Sequence, residues 1–125
     1  MIVWTSRTGN VKSIINKIPS IETLEMTKDL IVNKPFIFFT YTDGLGEAPA
    51  EALDFLQKNN FYLKGVIASG NTNFKHFGGH VYAGAADVIS NKFNVPILHK
   101  VDLRGYDSDI QKIIKQYQNT MEDIQ

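Results

Sequence analysis

At 125 residues the chain has the length of one domain, and a single unit spanning residues 1–125 is expected. Its 43% hydrophobic and 21% charged residues exclude a disordered or fibrous polypeptide, and thirteen Lys+Arg against thirteen Asp+Glu exclude a strongly basic nucleic-acid binder or a strongly acidic carrier. The absence of cysteine excludes disulfides, thiol chemistry and thiolate metal sites and fits a reducing, cytoplasmic setting; no apolar run approaches the ~20 residues that span a bilayer, and Met1 leads straight into a strand-like segment with no basic leader.

In chain order, Ile2-Val3-Trp4-Thr5 is a β-branched and aromatic run, stopped by Ser6-Arg7-Thr8-Gly9-Asn10. Val11, Ile14, Ile15 and Ile18 form a helical stripe that ends before Pro19. Residues 21–26 alternate weakly and read as an edge strand. Pro35 to Tyr41 is a continuous apolar run, the pattern of a strand covered on both faces of a parallel sheet. A loop over Thr42–Ala48 leads to Pro49, suited to the first turn of a helix whose face is Ala52, Leu53, Phe55 and Leu56. Leu63–Ala68 is a further buried strand, Ser69–Gly79 a polar loop, and residues 83–93 a helix. Val95–Val101 is the fifth strand, and Ile110, Ile113, Ile114 and Tyr117 mark a closing helix.

The order β-α-β-β-α-β-α-β-α, with one helix missing between the second and third strands, predicts an α/β three-layer sandwich. Its five-stranded parallel sheet takes the flavodoxin-like order 2-1-3-4-5, with helices on both faces. In such sheets ligands bind beyond the carboxyl ends of the strands, where the strand order reverses. Three loops rich in Gly, Thr, Ser and Asn are expected to meet there: residues 6–11, 41–48 and 69–79. The loops at the opposite edge, Lys17 to Ser20 and Asn59 to Tyr62, carry no such signal.

Each of the three loops has its own chemistry. Ser6, Arg7, Thr8, Gly9, Asn10 and Val11 leave a strand and open a helix, aiming backbone N–H groups outward, with hydroxyls at Ser6 and Thr8, close approach at Gly9 and a cap at Asn10. That suits a phosphate. The loop lacks the Gly-Lys-Ser/Thr of a P-loop, and an ordinary capped turn uses the same residue types. Thr40, Tyr41, Thr42, Asp43, Gly44, Leu45 and Gly46 offer a flexible backbone and an aromatic cover to a flat heterocycle, although Pro49 breaks any Gly-x-Gly-x-x-Gly fingerprint. Ser69, Gly70, Asn71, Asn73, Phe74 and Phe77 combine amides for a polar ring edge with aromatic faces. Ser69 lacks the glycine spacing of a hydrolase nucleophile elbow. His76 and His80 stand four apart, but Gly78 and Gly79 between them argue against a helix and no third ligand is evident, so no metal site is expected.

The neutral total conceals an uneven distribution. Residues 60–106 carry Lys64, Lys75, Lys92, Lys100 and Arg104 against Asp87 and Asp102, a net of +3, and hold all three histidines. Lys75, His76 and His80 would lie beside the proposed ligand, where they favour an anion.

Ser6 to Val11, Thr40 to Pro49 and Gly65 to Phe74, taken together and in order, resemble the NrdI family, small flavodoxin-like proteins that bind FMN and serve class Ib ribonucleotide reductase. Val95 to Gly105 is similar to that family's last strand and turn. Lys75 stands where a glycine is usual, and the stretch from Lys75 to Tyr82 is longer than usual. The resemblance implies non-covalent FMN, with phosphate on residues 6–11 and ring between the 41–48 and 69–77 loops. It also implies reaction of the reduced flavin with dioxygen, and delivery of a superoxide- or peroxide-type oxidant to the small, radical-bearing subunit of the reductase, where a dimanganese-tyrosyl radical cofactor is assembled. A separate flavin reductant is implied, no side chain need act as nucleophile or base, and a monomer is expected. The alternative is a small flavodoxin carrying single electrons, but such carriers are usually strongly acidic, which this chain is not.

Overall fold

The structure, a computed structural model, describes residues 1–122. It runs β1 (Ile2–Trp4), α1 (Asn10–Ile15), β2 (Thr23–Glu25), β3 (Phe36–Tyr41), α2 (Ala50–Asn59), β4 (Leu63–Gly70), α3 (Ala85–Phe93), β5 (Ile97–Asp102) and α4 (Asp107–Glu122). All four strand pairs are parallel and the order across the sheet is β2-β1-β3-β4-β5, as the element order predicts.

Parallel strands covered on both faces need no polar side, and the side-chain alternation of a strand then sorts apolar residues into two cores. In β3, Phe36 and Phe38 face a core built with Ala52, Phe55 and Leu56 of α2 and Ala85, Ala86 and Ile89 of α3. Ile37 and Phe39 face the other core, with Val11, Ile14 and Ile15 of α1 and Ile110 and Ile113 of α4. All four β3 residues are fully buried, and the Phe55 ring stacks on Phe38 at 5.7 Å between centroids. Each such side chain contributes about 1.5–3 kcal/mol of burial free energy.

Several boundaries differ from the sequence reading. The α1 stripe extends to Ile18, but the helix stops at Ile15 and single turns carry Ile18, still fully buried, into the core. β5 starts at Ile97 rather than Val95, because Pro96 has no N–H for the ladder; its carbonyl instead accepts from the Val66 N–H at 3.1 Å. β4 runs on through Ser69 and Gly70, and the expected loop beyond it is partly a 3₁₀ helix, Thr72–Phe77, capped where the Asn71 Oδ1 accepts from the Asn73 N–H at 2.9 Å. α3 begins at Ala85, not Ala83, because Ala83 is left-handed at φ 48°.

Residues 26–35 occupy the place of the missing helix. Asn59, at the end of α2, holds this segment: its Oδ1 accepts from the Val32 N–H at 2.8 Å, and its Nδ2 donates to the Leu30 and Phe55 carbonyls at 3.1 and 2.9 Å. Asn59 is 97% buried, so a residue of an apparently featureless loop is the polar pin of that edge. Among the described residues no helix is long and apolar enough to cross a membrane.

Candidate functional site

The carboxyl ends of β1, β3 and β4 open into one cleft of about 130 Å³. From the first loop Arg7, Thr8 and Asn10 line it; from the second, Tyr41, Thr42 and Gly44; from the third, Ser69, Gly70, Asn71 and Phe74. Strand register explains the convergence, since Tyr41 lies opposite Ser69, and Gly70 opposite Asp102, so the strands end at nearly one level. A larger cavity, about 450 Å³, lies between α2 and residues 26–28, but it gathers no loop from the strand ends.

In the first loop, Gly9 adopts φ 93° and is itself the N-cap of α1, with no side-chain cap. Asn10 therefore does not cap the turn as expected; the Ser6 Oγ accepts from the Lys12 N–H at 3.3 Å instead. Thr8 and Asn10 are left without side-chain hydrogen bonds among the described residues. A Cβ added at Gly9 would meet nothing within 4 Å, so the loop presents open backbone to the cleft side. α1 is only six residues long, so its dipole adds little; the anion-receiving capacity of this loop lies in Thr8, Asn10 and exposed amides. Val11 is fully buried in the core and contributes packing alone.

The second loop is a tight hairpin closed by paired backbone hydrogen bonds between Asp43 and Glu47 at 2.8 Å, with Gly44 and Gly46 at φ 47° and 90°. Arg7 joins the first two loops: its guanidinium pairs with the Asp43 carboxylate and stacks 4.8 Å from the centroid of the Tyr41 ring. Burial, then the Asp43 and Glu51 carboxylates, push the Tyr41 phenol up, so it presents a neutral aromatic face. Thr40 is buried and donates its hydroxyl to the Tyr41 carbonyl at 2.8 Å. Leu45 is exposed at the hairpin tip.

The third loop is clamped to the second by backbone contact. A Cβ on Gly84 would lie 2.3 Å from the His80 carbonyl oxygen and 2.6 Å from the Gly46 Cα, and one on Gly46 would lie 2.9 Å from the Val81 Cα. Lys100, on β5, donates to the Gly79 and Tyr82 carbonyls at 2.9 Å each and pairs with Asp87 at 2.5 Å. Sequence reasoning counted Lys100 as part of a positive surface; the structure spends it inside the loop. Lys64 sits at the far edge, near the start of β4, and Lys92 lies over the Phe93 ring. The exposed cation of the third loop is Lys75, with its Nζ 4.8 Å from the Tyr82 ring centroid, and His76 and His80 are exposed imidazoles of the same loop. Burial, then Asp102 and Asp109, push the Tyr82 phenol up to about 12. Asn73 and Phe77 lie on the outer side of this loop, with the Phe77 ring exposed against His76 at 4.1 Å. Among the described residues no three His, Asp or Glu side chains gather as a metal site.

Three further residues line the cleft that sequence reasoning passed over: Val81, Ala83 and Leu103. None carries reactive chemistry, and only backbone geometry brings them there. A second, shallower cleft of about 280 Å³ adjoins the first, lined by Asn10, Asp102, Leu103, Arg104, Gly105 and Tyr106. Its loop is held by Asp109, whose Oδ2 accepts from the Tyr106 N–H at 2.8 Å while Oδ1 lies 2.7 Å from the His99 Nε2. Burial alone would raise the Asp109 pKa, but these hydrogen bonds hold the carboxyl below its ordinary value.

A 2-1-3-4-5 parallel sheet with a cleft at the strand-order reversal is the fold of a flavodoxin. Solved structures agree: a short-chain flavodoxin associated with a non-canonical PDU bacterial microcompartment superposes with a TM-score of 0.68 over 99% of this chain and 97% of its own, at 18% identity. Oxidised Flavodoxin 2 from Bacillus cereus gives 0.61 at 20% identity over 98% and 97%. The family model described as NrdI flavodoxin-like matches residues 2–115, so the chain belongs to the NrdI flavodoxin-like family. The SPbeta prophage-derived protein NrdI of Bacillus subtilis strain 168 is 40% identical over 120 residues, covering 94% of this chain and 90% of the relative. Protein NrdI of Macrococcus caseolyticus is 40% identical over 112 residues, covering 90% and 84%. Membership of a flavodoxin-like family implies a flavin cofactor.

Proposed function

We propose that this chain binds FMN in the cleft beyond β1, β3 and β4. In this reading the reduced protein supplies an oxidant, made from dioxygen, to the small subunit of a class Ib ribonucleotide reductase during assembly of its dimanganese-tyrosyl radical cofactor. The observation that carries the reading is the meeting of three chemically distinct loops at one sheet edge in a chain of this family. The residues fit the three parts of FMN. Thr8, Asn10 and the open backbone at Gly9 suit the phosphate, since their donors are not taken up by the protein. Asn10 and Asn71 suit a hydroxylated chain, while the Ser69 hydroxyl is taken by the Leu103 carbonyl, and Tyr41 and Phe74 suit a flat ring that stacks on aromatic faces.

The chemistry FMN would supply when bound and reduced is one electron to dioxygen, giving superoxide, or two electrons and two protons, giving hydrogen peroxide. The protein's own contribution is binding, orientation and charge. The cleft is open on one side, which admits dioxygen and lets an anionic product leave. Lys75 sets positive charge on the third loop, and Arg7 is neutralised by Asp43. No side chain is required to hold or transfer a group covalently.

The test is reconstitution with FMN, anaerobic reduction with dithionite and admission of air. Rapid reoxidation with stoichiometric superoxide or peroxide, followed by tyrosyl-radical formation in a manganese-loaded small subunit, is the expected outcome. Slow reoxidation and no radical would favour the one-electron carrier. A chain that takes up no flavin defeats both readings.

A further inference from the structure

Leu103 sits at φ 50°, a left-handed conformation that side chains avoid because Cβ crowds the following carbonyl. Of the non-glycine residues at positive φ among the described residues, Asn94 closes α3, an ordinary place for asparagine. The other two, Ala83 and Leu103, both line the cofactor cleft.

Leu103 is fixed from both sides. Its N–H donates to the Gly70 carbonyl at 2.7 Å, and its carbonyl accepts from the Ser69 Oγ at 2.9 Å. The end of β4 thus holds an apolar residue, 44% exposed, in a conformation that glycine or asparagine would adopt with less strain. Two residues on, the same turn does use glycine: Gly105 takes φ 70°, and a Cβ there would also meet the Val101 Cγ2 at 2.6 Å. Leu103 and Asn10 border both clefts, the 130 Å³ one and the 280 Å³ one that holds Arg104. They are therefore the partition between them.

We infer that Leu103 is the apolar wall that ends the cofactor cleft at Asn10 and sets the length of flavin nucleotide that fits. This rests on the FMN reading above. With a phosphate at Thr8 and Asn10, the mononucleotide ends at the partition. The adenylate half of FAD extends from that phosphate and would have to pass Leu103 into the second cleft. Removing the side chain joins the two clefts and gives a second phosphate access to Arg104.

The experiment compares wild type with Leu103→Gly, Leu103→Ala and Leu103→Met as apoproteins, titrated with FMN and with FAD by calorimetry and melted without ligand. Both truncations remove the wall, so each is expected to weaken FMN binding about fivefold and to narrow the preference for FMN over FAD by at least as much. Met keeps the volume and stays within about twofold of wild type. Only glycine relieves the backbone, so apo Leu103→Gly melts about 3 °C above apo Leu103→Ala. Truncations that leave the FMN/FAD ratio unchanged overturn the wall, as does a wild type that binds FAD as tightly as FMN; both results leave the flavin reading standing. A glycine variant that melts no higher than the alanine variant overturns the strain argument. A wild type that binds neither flavin removes the flavin reading and this inference with it.

Discussion

The two ends of the sheet use similar residues for opposite purposes. At the end where β3 and β4 begin, Asn59 is buried and spends both polar atoms of its side chain on the chain itself, pinning residues 30–32 against α2. At the other end, Asn10 lines an open cleft, and its side chain has no hydrogen-bond partner among the described residues. The backbone differs in the same sense. Around the cleft stand Gly9, Gly44, Gly46, Ala83 and Leu103, all at positive φ, while among the described residues at the end where the strands begin only Asn94, closing α3, is left-handed. An asparagine whose partners are all internal contributes stability; one whose partners are missing is available to a ligand. Residue type does not distinguish them, and the count of partners does.

The sharpest way to test that contrast is Asn59→Ala. It leaves the Val32 N–H and the Leu30 carbonyl without their partner, and a loss of about 2–4 kcal/mol in urea unfolding is expected. FMN affinity, measured on the folded baseline, should stay within about twofold of wild type, because the two ends share no contact. A parallel loss of affinity would show that they are coupled and dissolve the comparison.

Gly84→Ala probes the cleft end. Gly84 has φ −66°, so it is glycine for room and not for conformation. Its new Cβ would meet the His80 carbonyl oxygen at 2.3 Å and Gly46 Cα at 2.6 Å, both backbone, and the second and third loops must part. FMN affinity is expected to fall about tenfold or more, with a stability loss of about 1–3 kcal/mol. If stability falls while affinity holds, the clamp between the loops is a fold feature and not a site feature.

A smaller effect comes from Tyr82, on the third loop. Its phenol is held up to about 12, so between the ordinary value of 10 and 12 the unfolded chain ionises before the folded one. The folded state then binds more protons, and stability falls as pH rises through that window. In Tyr82→Phe this decline should flatten between pH 10 and 12, with neutral-pH stability little changed. An identical alkaline limb in denaturant titrations would place the phenol in water and contradict its packing.

Much of the architecture was legible beforehand because it depends on short-range pattern. The apolar run over Phe36–Phe39 is a strand hidden on both faces, and the Val11, Ile14, Ile15 spacing is a helix face; the sheet order followed from the element order. The cleft's polar residues were legible too, because Gly, Thr, Ser and Asn cluster after strands at one edge only. What escaped had no local signal. Asn59 lay in a stretch with no pattern, and its partners Leu30 and Val32 are 27 or more positions away. Lys100 counted as surface charge until its contacts with Gly79, Tyr82 and Asp87 were visible.

The sequence by itself determined which segments become strands and helices, that the strands are parallel and doubly covered, and which three loops meet at the cleft. Hydrophobic periodicity and turn residues act over a few positions and are written locally. The tertiary structure alone decided which polar groups are consumed and which are left over, and which backbone is bent left-handed to make room. It also decided that Val81, Ala83 and Leu103 complete the cleft. Those outcomes depend on atoms brought together from distant parts of the chain, where a hydrogen bond to Gly70 or a contact with Gly46 fixes what no neighbouring residue could.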